Sequence, residues 1–252
     1  MMINAGEYRR ALVGEVELIR EMLGDAGQEA LGRPSPCAGW SVLDVCRHVE
    51  VTPRGVAGGL TAHLRGEPVS RNDPLASTAG RRDVLTSLDA GCRGLDEVLG
   101  QLSDEVLDGE LPGPLGPMPG RAALDLALTE LTLHRCDIAL GLGVDADIDP
   151  TAAVAIVDVI HAWLLLVSPA SPIPKEPLCY LLSDGSQEWS FSFYATGWTG
   201  DACTGDRYTV TSQGTPGRLA LGLAGRLPIE QAVYESSDPA ALAKLKTYLP
   251  GP

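Results

Sequence analysis

A four-helix bundle over residues 1–167, followed by a small α+β domain over 168–252, is the architecture this sequence calls for. Apolar residues recur at spacings of three and four through the first two thirds of the chain, the signature of helices with one buried face. The pattern changes at the proline-dense stretch Ser168–Pro177 (SPASPIPKEP), and short runs suited to strands follow it. In order, helices are expected near Ala5–Leu31, Ser41–Leu64, Gly80–Leu102, Arg121–Leu142 and Thr151–Val167. Strands are expected at Leu178–Ser183, Trp189–Tyr194 and Arg207–Thr211, and helical segments at Arg218–Ala224 and Pro239–Tyr248. The second helix has a legible start. Ser41 is placed as its N-cap with Asp44 three residues on, a capping box that satisfies two orphan amides. A second proline-rich passage, Leu111–Gly120, excludes both a helix and a central strand there.

Composition narrows the function. With 252 residues, 44% of them hydrophobic and 21% charged, the chain has the makings of a globular protein with a sizeable core. A net charge of -14 repels phosphate backbones and anionic membranes, so neither nucleic acid nor a membrane is an expected partner. The richest apolar stretch, Ala152–Val167, contains Asp158 and His161 and is short for a bilayer span. Glu7, Arg9, Arg10, Glu15 and Glu17 stand where a secretory signal needs an apolar core, so a cytoplasmic location is expected. The six cysteines form no C-x-x-C pair and are expected to be reduced and mostly structural. Gly55, Gly58 and Gly59 have no preceding strand and no following Lys-Ser or Lys-Thr, so they make no phosphate loop.

The fourth helix carries the chemistry. Its middle is apolar on nearly every side, yet it contains Glu130 and His134, four residues apart and hence on one face, with Ala123, Ala127 and Asp137 on or near that face. An enclosed carboxylate requires a cation, a strong donor or access to water. Two readings are open on spacing alone. Glu130 and His134 either form a simple hydrogen-bonded pair, or they hold a divalent metal together with His48, which shares its helical stripe with the apolar Val45 and Val49. Cys46 and Cys136 sit two positions from His48 and His134, on the far side of their helices, and read as small core residues. Cys37 reads as structural, His63 as a residue favoured by a helix C-terminus, and His161 as core or rim.

The segment SPCAGWSVLDVCRHV (Ser35–Val49) resembles the first signature of the mycothiol-dependent maleylpyruvate isomerase family, which belongs to the wider DinB-like metal-binding helical bundles. ELTLHRCDIALGLG (Glu130–Gly143) is similar to that family's second signature, and Gly217–Pro250 looks like its sterol-carrier-like carboxyl-terminal domain. The resemblance implies that His48, Glu130 and His134 are metal ligands, with zinc the first expectation. It also implies that Asp137 supports His134 and that Arg226 holds an anionic group of the substrate, although Arg218 is equally available for that task. The thiol cosubstrate it implies is mycothiol. In the family's reaction the thiolate adds to a cis double bond, the new single bond rotates, and elimination returns the trans isomer.

The expected function is therefore thiol transfer to, or thiol-assisted isomerisation of, a small electrophile, by a monomer or homodimer. The alternatives are a hydrolase or lyase in which zinc-bound water attacks, and a non-catalytic binding module that keeps the bundle.

Overall fold

In the computed structural model, residues 2–70, 73–114, 116–167, 177–194, 197–199 and 210–249 are described. The chain divides into two units, Met2–Asp147 and Ile148–Pro252. The division falls before the Val167 boundary expected from the proline-rich stretch, residues 168–176 of which lie outside the described residues.

The first unit opens with α1 (Ala5–Asp25), capped by an Asn4 and Glu7 capping box, and a short α2 (Gln28–Leu31) beyond Gly27. The expected second helix is split into α3 (Val42–Val49) and α4 (Val51–Arg65). Pro53 accounts for the split, because it has no N–H to donate to Val49 and its ring crowds that carbonyl. The start of α3 is the expected one: the Ser41 side chain accepts from the Asp44 amide and Asp44 accepts from the Ser41 amide. Next come α5 (Arg81–Leu99), α6 (Asp104–Leu107), and a hairpin of β1 (Glu110–Gly113) and β2 (Gly116–Pro119). The hairpin occupies the proline-rich passage as an isolated two-stranded sheet, an arrangement that tolerates the missing proline donors. The unit ends with α7 (Gly120–Leu142).

Among the described residues, α1, the broken α3 and α4, α5 and α7 make the four members of the bundle. Neighbouring members pack as α1 on α5 and α7, α4 on α5, and α3 on α7. Leu12, Val16 and Ile19 of α1, Val84, Leu88 and Leu95 of α5, and Leu124, Leu128 and Leu131 of α7 are all buried in its core. Two ion pairs, each with a buried carboxylate, lace it. Arg135 of α7 donates to Glu15 of α1, both 3% exposed. Glu50, fully buried between α3 and α4, accepts from the Arg54 guanidinium, the Leu75 amide and the Ser87 hydroxyl, which ties the segment between α4 and α5 down.

The second unit begins with α8 (Pro150–Val167), whose Ala152–Val157 and Ile160 are buried. It continues with β3 (Leu178–Ser183), β4 (Glu188–Tyr194), β5 (Gly197–Thr199), β6 (Val210–Gln213), α9 (Pro216–Leu223), α10 (Ile229–Ala232), β7 (Glu235–Ser236) and α11 (Pro239–Tyr248). The sheet order is β5-β4-β3-β6-β7, with β3 and β6 parallel and the other pairs antiparallel. The expected strand Arg207–Thr211 thus starts its described part at Val210; residues 201–209 lie outside the described residues. Helix α8 packs on α9 and touches β4, where Trp189 Nε1 donates to Asp158 at 2.8 Å, so this helix belongs with the sheet rather than with the bundle. His161 lies 2.9 Å from the Ser190 carbonyl and edge-on to Phe191, a packing role. Cys179 is disulfide-bonded, which corrects the expectation of uniformly reduced cysteines, whereas Cys37, Cys46, Cys92 and Cys136 carry thiols outside any disulfide. Scatter along the chain carries no information about sulfur distances in the fold.

Among the described residues, no helix is long and apolar enough to cross a membrane.

Candidate metal centre

Helix α7 is enclosed along most of its length, and one stripe of it faces α3 and the turn before α3. Glu130, His134, Asp137 and Gly141 occupy that stripe at successive spacings of four, three and four. Gly141 makes the approach possible: a Cβ there would meet Val42 Cγ2 at 2.6 Å and the Pro34 carbonyl at 3.2 Å. On the facing side, His48 projects from the last turn of α3.

Glu130 Oε1 lies 2.9 Å from His48 Nε2 and 3.4 Å from His134 Nε2. The two imidazoles meet edge to face with ring centroids 4.9 Å apart. One donor atom from each of the three residues falls within 4.8 Å of the others. Ligands bound at 2.0–2.1 Å around a tetrahedral cation are separated by about 3.3 Å, so these spacings suit a single ion. Two imidazoles with one carboxylate is a donor set that zinc uses in catalytic sites, where a further position stays open. The residues present therefore fit a divalent metal. His48 and Glu130 keep about two fifths of their side-chain surface exposed, and His134 is mostly buried.

Protons take the place of a cation in the metal-free chain. Burial lowers the affinity of His134 for a proton, but hydrogen bonds to Asp137 and Glu130, with their charges, outweigh it and raise its pKa to about 9. Burial likewise pushes the Glu130 carboxyl up. Hydrogen bonds from His134 and His48 and their positive charge prevail, holding it well below the usual carboxylate range. The ionised Glu130 and the tightly held proton of His134 show that this half-exposed cluster attracts positive charge.

The other ring nitrogen of His134 is also engaged. Nδ1 lies 3.2 Å from Asp137 Oδ2, a carboxylate that is fully buried, and it donates there. That bond leaves Nε2 as the nitrogen aimed at Glu130 and His48. Cys37 Sγ reaches the same oxygen at 3.2 Å and sits 4.0 Å from His134 Nδ1. Trp40, 38% exposed, packs on the other histidine, its ring centroid 5.0 Å from that of His48. Cys37 and Trp40 both lie in the segment that resembles the family's first signature, but spacing alone does not link them to the cluster, because contacts made across a turn leave no periodic trace.

The structure thus brings His48, Glu130 and His134 together and sets Asp137 behind His134. Arg226 belongs to the other unit, where its Nη1 donates to the Ala224 carbonyl at 2.8 Å. In that unit Lys246 donates to the Leu223 carbonyl, and burial together with the Arg226 charge pulls its pKa down to about 8. Arg218 caps the Gln231 carbonyl on an exposed face. Cys46 is fully buried, and burial pushes its thiol up to about 12, in keeping with an inert core residue.

A helical bundle presenting a His, Glu and His cluster suited to a divalent metal, joined to a small mixed α+β unit, defines the class of this protein. Residues 13–139 match the mycothiol maleylpyruvate isomerase N-terminal domain, and the chain belongs to that family. Two uncharacterised proteins from strains of Mycobacterium tuberculosis are 27% identical to it over 157 residues, covering 62% of this chain and 77% of theirs. Among solved structures, the mycothiol-dependent maleylpyruvate isomerase shares the fold with a TM-score of 0.63 at 17% identity, over 92% of both chains. A histidine-to-alanine variant of that enzyme matches with the same TM-score at 16% identity.

Proposed function

We propose that this chain is a metal-dependent enzyme that uses mycothiol to transfer sulfur to, or to isomerise, a small electrophilic substrate, with zinc the preferred metal. One observation carries the proposal: His48 Nε2, Glu130 Oε1 and His134 Nε2 converge on one point in a chain of this family. Held by His48, Glu130 and His134, a divalent cation would supply Lewis acidity that favours the thiolate form of a thiol cosubstrate near neutral pH. The chain's own residues do the rest. Glu130 stays ionised and bridges the two imidazoles, Asp137 holds the Nδ1 proton of His134 so that Nε2 points at the shared locus, and the partial exposure of His48 and Glu130 leaves that locus accessible. Arg226 is assigned to an anionic group of the substrate on the strength of the family resemblance.

The test has two parts. Metal analysis of purified protein is expected to find a divalent ion near one equivalent, lost on chelation together with thermal stability. A panel of electrophiles incubated with and without mycothiol, followed by product mass, is expected to give adduct or isomer only when the thiol is present. Turnover without thiol would replace the proposal by a water-using hydrolase or lyase. Protein free of metal, with a melting temperature unmoved by chelator, would replace it by a non-catalytic binding module.

A further inference from the structure

The turn between α2 and α3 is built more tightly than a connection requires. The Ser35 amide donates to the Trp40 carbonyl at 2.9 Å, the Trp40 amide donates to the Cys37 carbonyl at 3.0 Å, and the Ser35 hydroxyl accepts from the Cys37 amide at 3.2 Å. Pro34 and Ser41 are bridged at its base, and the Val42 amide donates to the Arg33 carbonyl. Gly39, at φ 81°, supplies the left-handed residue that closes the turn. Its two outward products are Cys37, whose thiol donates to the buried Asp137 carboxylate, and Trp40, whose ring lies against His48. One short segment thereby touches the surroundings of both histidines of the cluster.

We propose that Cys37 is a positioning residue of the metal centre: its thiol hydrogen bond fixes the Asp137 carboxylate in the orientation that holds His134, and the Ser35–Trp40 turn exists to deliver it there. The proposal rests on the metal-binding reading above. Groups that orient a ligating histidine contribute typically 10- to 100-fold to metal affinity, although they never touch the ion. A thiol donor on a fully buried carboxylate is a weaker version of the same device, so the lower end of that range is expected. The role needs a donor in a small volume and needs no reactive sulfur.

Three variants separate a donor from a filler. Zinc affinity is measured by competition with a chromophoric chelator on the full chain of the wild type, Cys37→Ser, Cys37→Val and Cys37→Ala. Cys37→Ser is expected to stay within about threefold of the wild type, because its hydroxyl donates from the same place. Cys37→Val and Cys37→Ala are expected to bind zinc about tenfold more weakly, while melting of the metal-free protein stays close to wild type. If the alanine variant does not fold, the valine and serine pair decides, since valine fills the space and donates nothing. Equal affinity in Cys37→Val and the wild type would overturn the proposal, as would a serine variant as weak as the valine one. Wild-type protein that takes up no zinc would instead remove the metal-binding reading itself, and this one with it.

Discussion

His48 and Glu130, 82 residues apart in the chain, meet with Nε2 and Oε1 2.9 Å apart. The contact joins the last turn of α3 to the middle of α7, and it is the closure on which the whole cluster depends. His134, one turn along α7 from Glu130, completes it from the same helix and is the most enclosed of the three. His134→Ala is therefore expected to weaken metal binding by more than the 10- to 100-fold typical of outer partners. The core leucines of α7 lie on other faces, so the bundle is expected to stay folded. Metal content by mass spectrometry and helicity by circular dichroism check both halves; full metal loading in a folded His134→Ala would refute the ligand assignment.

The charge balance of the cluster sets its response to pH. His134 titrates at about 9 in the metal-free fold, above its ordinary value near 6.5, so its contribution to stability is fully present below about 6.5 and is lost as pH rises through about 9. Glu130 is shifted the opposite way, so its contribution is present above the ordinary carboxylate range near 4.3 and is lost as pH falls below it. Metal-free protein is expected to be most resistant to denaturant between about pH 4.5 and 6.5 as far as this cluster decides. Metal binding must displace the His134 proton, so apparent zinc affinity is expected to rise about tenfold per pH unit approaching 9. Calorimetry in buffers of different ionisation enthalpy counts the released proton; zero release would contradict the His134 assignment.

Arg135 is the next residue along α7 and points away from the metal cluster, into α1. Its pair with Glu15 is almost wholly excluded from water. Removing one partner strands a buried charge, so Arg135→Ala and Glu15→Ala are each expected to cost about 3–5 kcal/mol in denaturant unfolding. Replacing both, as in Glu15→Leu with Arg135→Met, is expected to recover most of that loss, since apolar packing substitutes for a buried pair at little net cost. A double variant as unstable as the singles would show that the pair's hydrogen bonds, including Arg135 to the Asp147 carbonyl, matter more than its charge.

Helix α7 was fully legible in the sequence because an apolar pattern on nearly every side with one polar stripe admits few other structures. The start of α3 was legible for a local reason too, since a capping box at Ser41 and Asp44 is written in two residues. The break before Pro53 was equally local, but the helical stripe running past it in the sequence masked it. Features decided by distant packing were not legible. The apolar α8 suits a bundle member and a sheet cover alike, and its contacts with α9 and β4 assign it. The face shared by Glu130 and His134 could be read from their spacing, whereas the arrival of His48, Cys37 and Trp40 depends on how α3 and its turn lie against α7.

Gly141 is the point where that packing can be disturbed without touching any ligand. Two turns beyond His134 on the same stripe, it lets α7 come against Val42 and Pro34, and an added methyl would stand 2.6 Å from Val42 Cγ2. Something must shift, and both neighbours belong to the segment that carries Cys37, Trp40 and the first turn of α3. Gly141→Ala would gain about 1 kcal/mol in helix propensity on an open face, but here overpacking of about 1–3 kcal/mol opposes it. The expected outcome is a net loss of stability together with zinc affinity about tenfold weaker, through displacement of the turn from Asp137 and His48. Denaturant unfolding and chelator competition on the same preparation check the two effects. A Gly141→Ala protein that is stabilised and binds zinc normally would show that α3 and its turn yield freely, and that close packing against α7 is not what aligns the centre.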